Sequence, residues 1–277
     1  MTQATDLQII RAGIDIGAPA ARVHRALTAE LDRWLADSAA VDLVGGAYDF
    51  WGPHVFEAPD RDAGRHALLA HEADRMLRFG WHVRGADTEV TIELTSDGGG
   101  TRVGVTHAGV PQRAPSAASV DDVWKVTLEN LRRWCERGEA PVRVDFARDP
   151  VGEAHTQIEM DAPVEAVFDT LTKPELVREW CGGDAQIDPV VGGRYTFGWE
   201  DGGPMEIVDL AAPNRLAYTW AYPPEPESVV TWELEGSGGK TRVTITHSGF
   251  GDRGVADYEA GWTSFLVTIR NQVEGRA

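Results

Sequence analysis

Cysteine is almost missing from this chain. Its 277 residues hold two, Cys135 and Cys181, without the spacing of a metal-binding knuckle, so free thiols are expected rather than a disulfide framework. Long apolar runs are missing as well. No stretch approaches the roughly 20 residues that cross a bilayer, and the opening MTQATDLQ has neither the basic nor the apolar region of a signal peptide, so a cytoplasmic location is expected. Positive charge is scarce. With 26 Lys and Arg against 44 Asp and Glu, the net charge of -18 argues against nucleic acid or an anionic membrane surface as partner.

Several catalytic signatures are absent too. The GGG at 98–100 and the GSGG at 236–239 fall in expected hairpins and not between a strand and a helix, so neither reads as a phosphate loop. There is no G-x-S-x-G elbow and no H-E-x-x-H pair. His66 and His71, five apart on one expected strand, should point to opposite faces, which argues against a shared metal. No metal and no cofactor are expected.

What the chain does have is a second copy of itself. TRVGVTHAG at 101–109 recurs as TRVTITHSG at 241–249, and IDIGAP at 14–19 recurs as IEMDAP at 158–163. Trp34 answers Trp180, Tyr48 and Phe50 answer Tyr195 and Phe197, Phe79 and Trp81 answer Tyr218 and Trp220, and Trp124 answers Trp262. Two repeats are too few for a solenoid and each is long enough for a domain. The expected layout is a first domain over 1–138, a linker over 139–153 that mixes proline, glycine and charge, and a second domain over 154–277.

The second copy shows the architecture more clearly. HTQIEM at 155–160 reads as a strand, Pro163 opens a helix at its first position, and Val164, Val167, Phe168 and Leu171 give that helix one apolar stripe. A shorter helix is expected from Pro174 to about Cys181. Strict alternation follows in Tyr195, Phe197, Trp199, then in Leu216, Tyr218, Trp220, then in Val230, Trp232, Leu234, and finally in Val243, Ile245, His247. The chain closes in a helix striped by Trp262, Phe265, Leu266, Ile269 and Val273. The first copy repeats this plan, with His24 where the second has Phe168, and its closing helix starts near Ser119 with Asp121 and Asp122 first and Arg132, Arg133 and Arg137 last. His24 is expected to be a satisfied core residue. The order predicts an α+β fold in which a curved antiparallel sheet grips its final helix.

PELVREWCGG, VGGRYTFGW, NRLAYTW, TRVTITHSGF and the closing GWTSFL helix, in that order, resemble the heat-shock-protein-90 ATPase-activator-homologue family. The resemblance covers about 155–275 directly and reaches the first copy through the internal match. It implies membership of the START-like or SRPBCC superfamily and hence two tandem helix-grip domains like the birch-pollen allergen. It also implies kinship with small bacterial proteins that hold an apolar or aromatic ligand between sheet and long helix. Cys181 departs from the bulky apolar residue expected there, and reads as an inert small hydrophobe, with a pocket-rim thiol as the alternative.

By parity, the candidate ligand-lining set is Tyr195, Phe197, Tyr218, Trp220, Trp232, His247 and Trp262 in the second copy. In the first it is Tyr48, Phe50, Phe79, Trp81, His107 and Trp124. The alternative is that these rings only fill the core. His107 and His247 are weak catalytic candidates, placed to bond a ligand carbonyl or move a proton, against a turn-closing bond to backbone. The second copy, with the cleaner aromatic alternation, is expected to bind aromatic ligands better. Three functions stay open: a binder of a small hydrophobic or aromatic molecule serving resistance or regulation, an enzyme like the tandem polyketide aromatase/cyclases, or a protein-interaction module acting on a chaperone. Nothing in the residues points to a particular protein partner.

Overall fold

The protein is described by a computed structural model over residues 7–112, 119–199, 203–221 and 225–275. The chain divides into two compact units, residues 1–148 and 149–277. Each is an α+β helix-grip domain.

In the first unit, strand β1 (Leu7–Ile16) leads into helices α1 (Ala20–Thr28) and α2 (Leu31–Trp34), then a small hairpin of β2 (Ser38–Asp42) and β3 (Ala47–Trp51). Strands β4 (Leu68–Glu72), β5 (Met76–Val83), β6 (Ala86–Asp97) and β7 (Gly100–Pro111) follow, and α3 (Val120–Arg137) closes the unit. The antiparallel sheet has the order β1-β7-β6-β5-β4. Tyr48 and Phe50 of β3 donate backbone N–H groups to the carbonyls of His66 and Gly64, which carries the sheet surface around toward the hairpin.

The second unit repeats these elements one for one. It runs β8 (Glu153–Met160), α4 (Val164–Thr172), α5 (Pro174–Cys181), the short β9 (Gln186–Ile187) and β10 (Tyr195–Thr196), then β11 (Ile207–Ala211), β12 (Arg215–Trp220), β13 (Ser228–Ser237), β14 (Lys240–Ser248) and α6 (Ala256–Val273). Its sheet order is β11-β12-β13-β14-β8, the first order read from the other edge. Here Tyr195 N–H bonds the carbonyl of Met205, the residue in His66's place.

Side-chain bonds to backbone repeat with the fold. Thr101 Oγ1 donates to the Ala18 carbonyl at 2.7 Å, and Thr241 Oγ1 to Ala162 at 2.7 Å, tying the last strand to the turn before the first helix. Trp34 Nε1 donates to Ala26 at 2.9 Å and Trp180 Nε1 to Thr170 at 2.7 Å, pinning the second helix on the first. Tyr48 and Tyr195 donate their hydroxyls to Leu27 and Leu171 carbonyls. Buried helix-end carbonyls need such partners.

Some local details differ from expectation. Pro163 is the N-cap of α4 and not its first residue. The run Tyr195, Phe197, Trp199 alternates but forms only a two-residue strand. Arg132 and Arg133 are buried and grip the buried Glu129 carboxylate at 2.7 Å each, so they form an ion cluster rather than decorate a helix end. The Ser119 N-cap is present as a capping box with Asp122. The segment expected to link the copies is divided: Val142 is buried and exchanges hydrogen bonds with the Asn130 amide, and Phe146 packs on Phe56 at 5.3 Å, all within the first unit. No helix among the described residues is long and apolar enough to cross a membrane.

Replacing Thr241 by Val keeps shape and volume but leaves the buried Ala162 carbonyl without its donor. A stability loss of about 1–3 kcal/mol is expected, read as a lower urea midpoint for the second unit; an unchanged midpoint contradicts the role given to this bond.

Candidate functional site

A pair of histidines organises the space between sheet and final helix. His107 on β7 and His247 on β14 are both fully buried. Trp124 Nε1 on α3 lies 3.2 Å from His107 Nδ1, and Trp262 Nε1 on α6 lies 3.1 Å from His247 Nδ1. An indole nitrogen can only donate, so each Nδ1 is an unprotonated acceptor. The other nitrogen, Nε2, sits 2.7 Å from Thr88 Oγ1 in the first copy and 2.8 Å from Ser228 Oγ in the second. Thr88 gives its own proton to the Trp81 carbonyl at 2.6 Å, so it accepts from His107. Both rings are neutral Nε2–H tautomers with both nitrogens engaged. Burial depresses their proton affinity, to a pKa of about 4 for His107 and about 3 for His247. In this arrangement neither ring offers a free lone pair, and burial holds both below the neutral range in which a proton shuttle works. The bond to backbone is corrected, since the partners are side chains.

The remaining candidates gather on the same inner face. In the second copy Tyr195 stacks on Tyr218 at 4.0 Å, Phe197 stacks on Trp199 at 4.7 Å, and Trp232 donates Nε1 to the Tyr218 hydroxyl at 3.2 Å. Trp220 packs on Trp262 at 5.2 Å. These rings fill one another's space. In the first copy Tyr48, Phe50, Phe79, Trp81 and Trp124 line a small cavity of about 30 Å³, room for a water or two as it stands. His107 lies behind Trp81, stacked on it at 5.7 Å.

Why the first copy is hollow follows from the internal register. The Thr88 and Ser228 matches set Ile92 where the second copy has Trp232. The Trp124 and Trp262 matches set Thr127 where it has Phe265, and Gly52, two residues past Phe50, stands where it has Trp199. In the second copy Phe265 is packed between Trp180 at 5.4 Å and Trp199 at 5.9 Å, and Trp180 reaches Trp232 at 6.2 Å. The first copy keeps Trp34 but lacks the three rings around it. Ile92 and Thr127 line the resulting space. Large-to-small changes in a core leave volume that neighbours recover only in part. Where inward aromatics are fewer, as in the first copy, room is left beside Trp34.

Sequence reasoning missed part of the lining. His54, Val55 and Phe56, after β3, and Phe146, from the segment taken as linker, complete the wall. The loop carried no periodic signal, whereas Ile92 and Thr127 could have been found by asking which rings lack a counterpart.

Other singled-out residues lie outside this cavity. His24 is half-buried, with Nε2 at 2.8 Å from His71 Nε2 and Nδ1 at 3.4 Å from an Asp74 carboxylate oxygen. Its proton affinity is lowered by burial and by His71, against the pull of Asp74. It is satisfied by polar partners rather than by the core. His66 faces the interior, apart from His71, and no group of three or more potential ligands that could hold a metal occurs among the described residues. Cys135 and Cys181 are free, and burial raises both thiols, Cys135 to about 12, so neither is a poised nucleophile.

Two sheets of one order, each closed by a helix locked through a Trp–His bond, define a tandem helix-grip protein. The family model described as "Activator of Hsp90 ATPase homolog 1-like protein" matches residues 17–136 and again 161–274, and the chain belongs to that family. Among solved structures, protein MLL2253 from Mesorhizobium loti is 26% identical, covering 45% of this chain and 98% of its own, with a TM-score of 0.40. The Aha1 dimer from Colwellia psychrerythraea is 21% identical over 45% of this chain and 97% of its own, with a TM-score of 0.41. DynU16, a protein of the dynemicin biosynthetic locus, is 18% identical over 96% of this chain and 98% of its own, with a TM-score of 0.37. A search of curated proteins found no match.

The depressed histidines predict acid sensitivity. Below the unfolded value of 6.5, the unfolded chain takes up protons that the native rings refuse. Stability is therefore full above pH 6.5 and falls as pH drops toward about 4 for His107 and about 3 for His247. The loss is about 1.4 kcal/mol per pH unit per ring across that window. Heteronuclear NMR at pH 5.5 should show both as neutral Nε2–H tautomers; an imidazolium signal from either contradicts the assignment.

Proposed function

We propose that the first copy binds a small aromatic or apolar molecule in the cavity between its sheet and α3, and that the chain sequesters or carries that molecule. The observation that carries this is the hollow itself. It is present where Ile92, Thr127 and Gly52 take the places of Trp232, Phe265 and Trp199 in an otherwise matching copy. Its wall is largely aromatic, with Trp34, Phe50 and Trp124 among the rings that line it. Apolar walls supply affinity through burial and leave the choice of ligand to shape.

Binding without turnover accords with the buried histidines, whose nitrogens are engaged within the protein in both copies. Two free thiols, Cys181 buried and Cys135 half-buried, suit a reducing compartment such as the cytoplasm. The second copy carries the same scaffold with three more rings, Trp199, Trp232 and Phe265, at the matching positions.

The test uses the filled copy as template. In the full chain, Thr127→Phe introduces the ring that the second copy carries at the matching position. It should weaken binding of aromatic probes by about tenfold or more while leaving thermal stability equal or higher. Titration calorimetry and Trp fluorescence across a panel of small aromatics read the first outcome, and a melting curve the second. Unchanged affinity in T127F, or no binding by the parent chain across the panel, defeats the proposal.

A further inference from the structure

Part of the cavity wall comes from two segments that belong to neither the sheet nor a helix. The loop between Phe50 and His66 covers 51–65, where the matching stretch of the second copy, between Phe197 and Met205, covers only 198–204. From this longer loop His54, Val55 and Phe56 reach the cavity. The other segment is a strap at 140–148, which follows α3 without helix or strand and brings Phe146 to the same space. Phe146 is half-buried and meets Phe56 edge to face at 5.3 Å.

A few separate contacts hold the strap down. Phe146 N–H donates to the Pro53 carbonyl at 2.7 Å, and His54 Nδ1–H to the Val144 carbonyl at 3.0 Å. The Asn130 amide on α3 exchanges bonds with the Val142 backbone, and Arg143 pairs with the exposed Asp37 carboxylate at 3.0 Å. Asn130 differs between the copies. The match of Trp124 to Trp262 sets Thr268 in its place, and that hydroxyl turns back to the Ser264 carbonyl of its own helix at 3.0 Å. On the same helix Thr127 answers Phe265. The second copy thus supplies a ring from its closing helix, whereas in the first the helix offers a threonine and the strap brings a phenylalanine to the same cavity. With Phe146 in place the space is about 30 Å³, room for a water or two and well short of an aromatic molecule.

We propose that the strap is a built-in competitor for the cavity: Phe146 is a plug that an aromatic ligand displaces, lifting 140–148 away from α3 and the loop. This rests on the cavity being the ligand site. A side chain tethered beside its own pocket is present at high effective concentration, so the plug sets a threshold that weak apolar molecules do not pass. Lifting it breaks isolated bonds and no ladder, and the freed polar groups turn to water. The apparent affinity for any ligand is then the intrinsic one reduced by the fraction of chains whose strap is up.

A plug and a fixed wall predict opposite signs. In the full chain, Phe146→Ala removes the competing ring, and 2-naphthol and indole should bind about fivefold more tightly by titration calorimetry; loss of a wall contact would weaken them. Asn130→Thr installs the residue of the second copy and frees Val142 while every lining side chain stays, and it should also tighten binding. In the parent, 2-naphthol should speed hydrogen exchange in peptides covering 140–148. Unchanged or weaker binding in both variants, or a strap that exchanges more slowly with 2-naphthol bound, overturns the plug and leaves the cavity proposal standing. Binding by the variants alone upholds the plug and removes the parent chain as a carrier of these probes. If parent and variants all fail to bind, both proposals fall.

Discussion

The indole-to-imidazole bond is the constraint on which each copy depends. It crosses from the N-terminal half of the closing helix to the last strand, Trp124 to His107 and Trp262 to His247, at nearly equal lengths of 3.2 and 3.1 Å. Because the imidazole also donates to Thr88 or Ser228 at the start of the neighbouring strand, one ring couples two strands and a helix. Deleting one member of such a buried relay leaves the others unpaired, so the helix cannot slide over the sheet without losing several bonds together. The space between sheet and helix is thereby set by the frame and not by what fills it. That is why the two copies can carry different sets of inward side chains, Ile92 and Thr127 against Trp232 and Phe265, on the same backbone plan.

How much of this was legible in the residues varied with the kind of signal. The duplication, the order of elements and the inward-facing side of β12, β13 and β14 followed from period-two and period-3.6 patterns, because burial on one face imposes them directly. The histidine pair was visible as a coincidence of position. Its chemistry was not, since the Trp donors lie 17 and 15 residues away and the bond depends on how the helix returns. The cavity was least legible. Alternation shows that Trp232 and Ile92 point inward, yet whether room remains depends on residues across the gap, here Phe265 and Thr127, and on Phe146 from a segment with no periodicity at all.

The two copies also separate what the frame needs from what the site needs. The bonds of Thr101, Trp34, Tyr48 and His107 recur as those of Thr241, Trp180, Tyr195 and His247, so they belong to the frame. Among the residues that do not recur are Gly52, Ile92 and Thr127, of which Ile92 and Thr127 line the hollow. An uncompensated loss of a large core side chain costs about 2–5 kcal/mol. Two features of the first unit recover part of that. Val55 is buried in the loop after β3, and the segment around Val142 and Phe146 folds back to cover the opening.

Those two covering segments give the hollow a different character from a void inside a rigid core. Its inner wall, from β3, β5 and α3, is fixed by the frame bonds. Its outer wall is a loop around His54 to Phe56 and a strap held by the Asn130 and Val142 exchange, with His54 Nδ1 3.0 Å from the Val144 carbonyl as the link between them. Neither outer segment is part of the sheet ladder, so displacing them breaks few backbone bonds. Moving the strap and loop therefore leaves the Trp124 and His107 bond, on the opposite wall, intact.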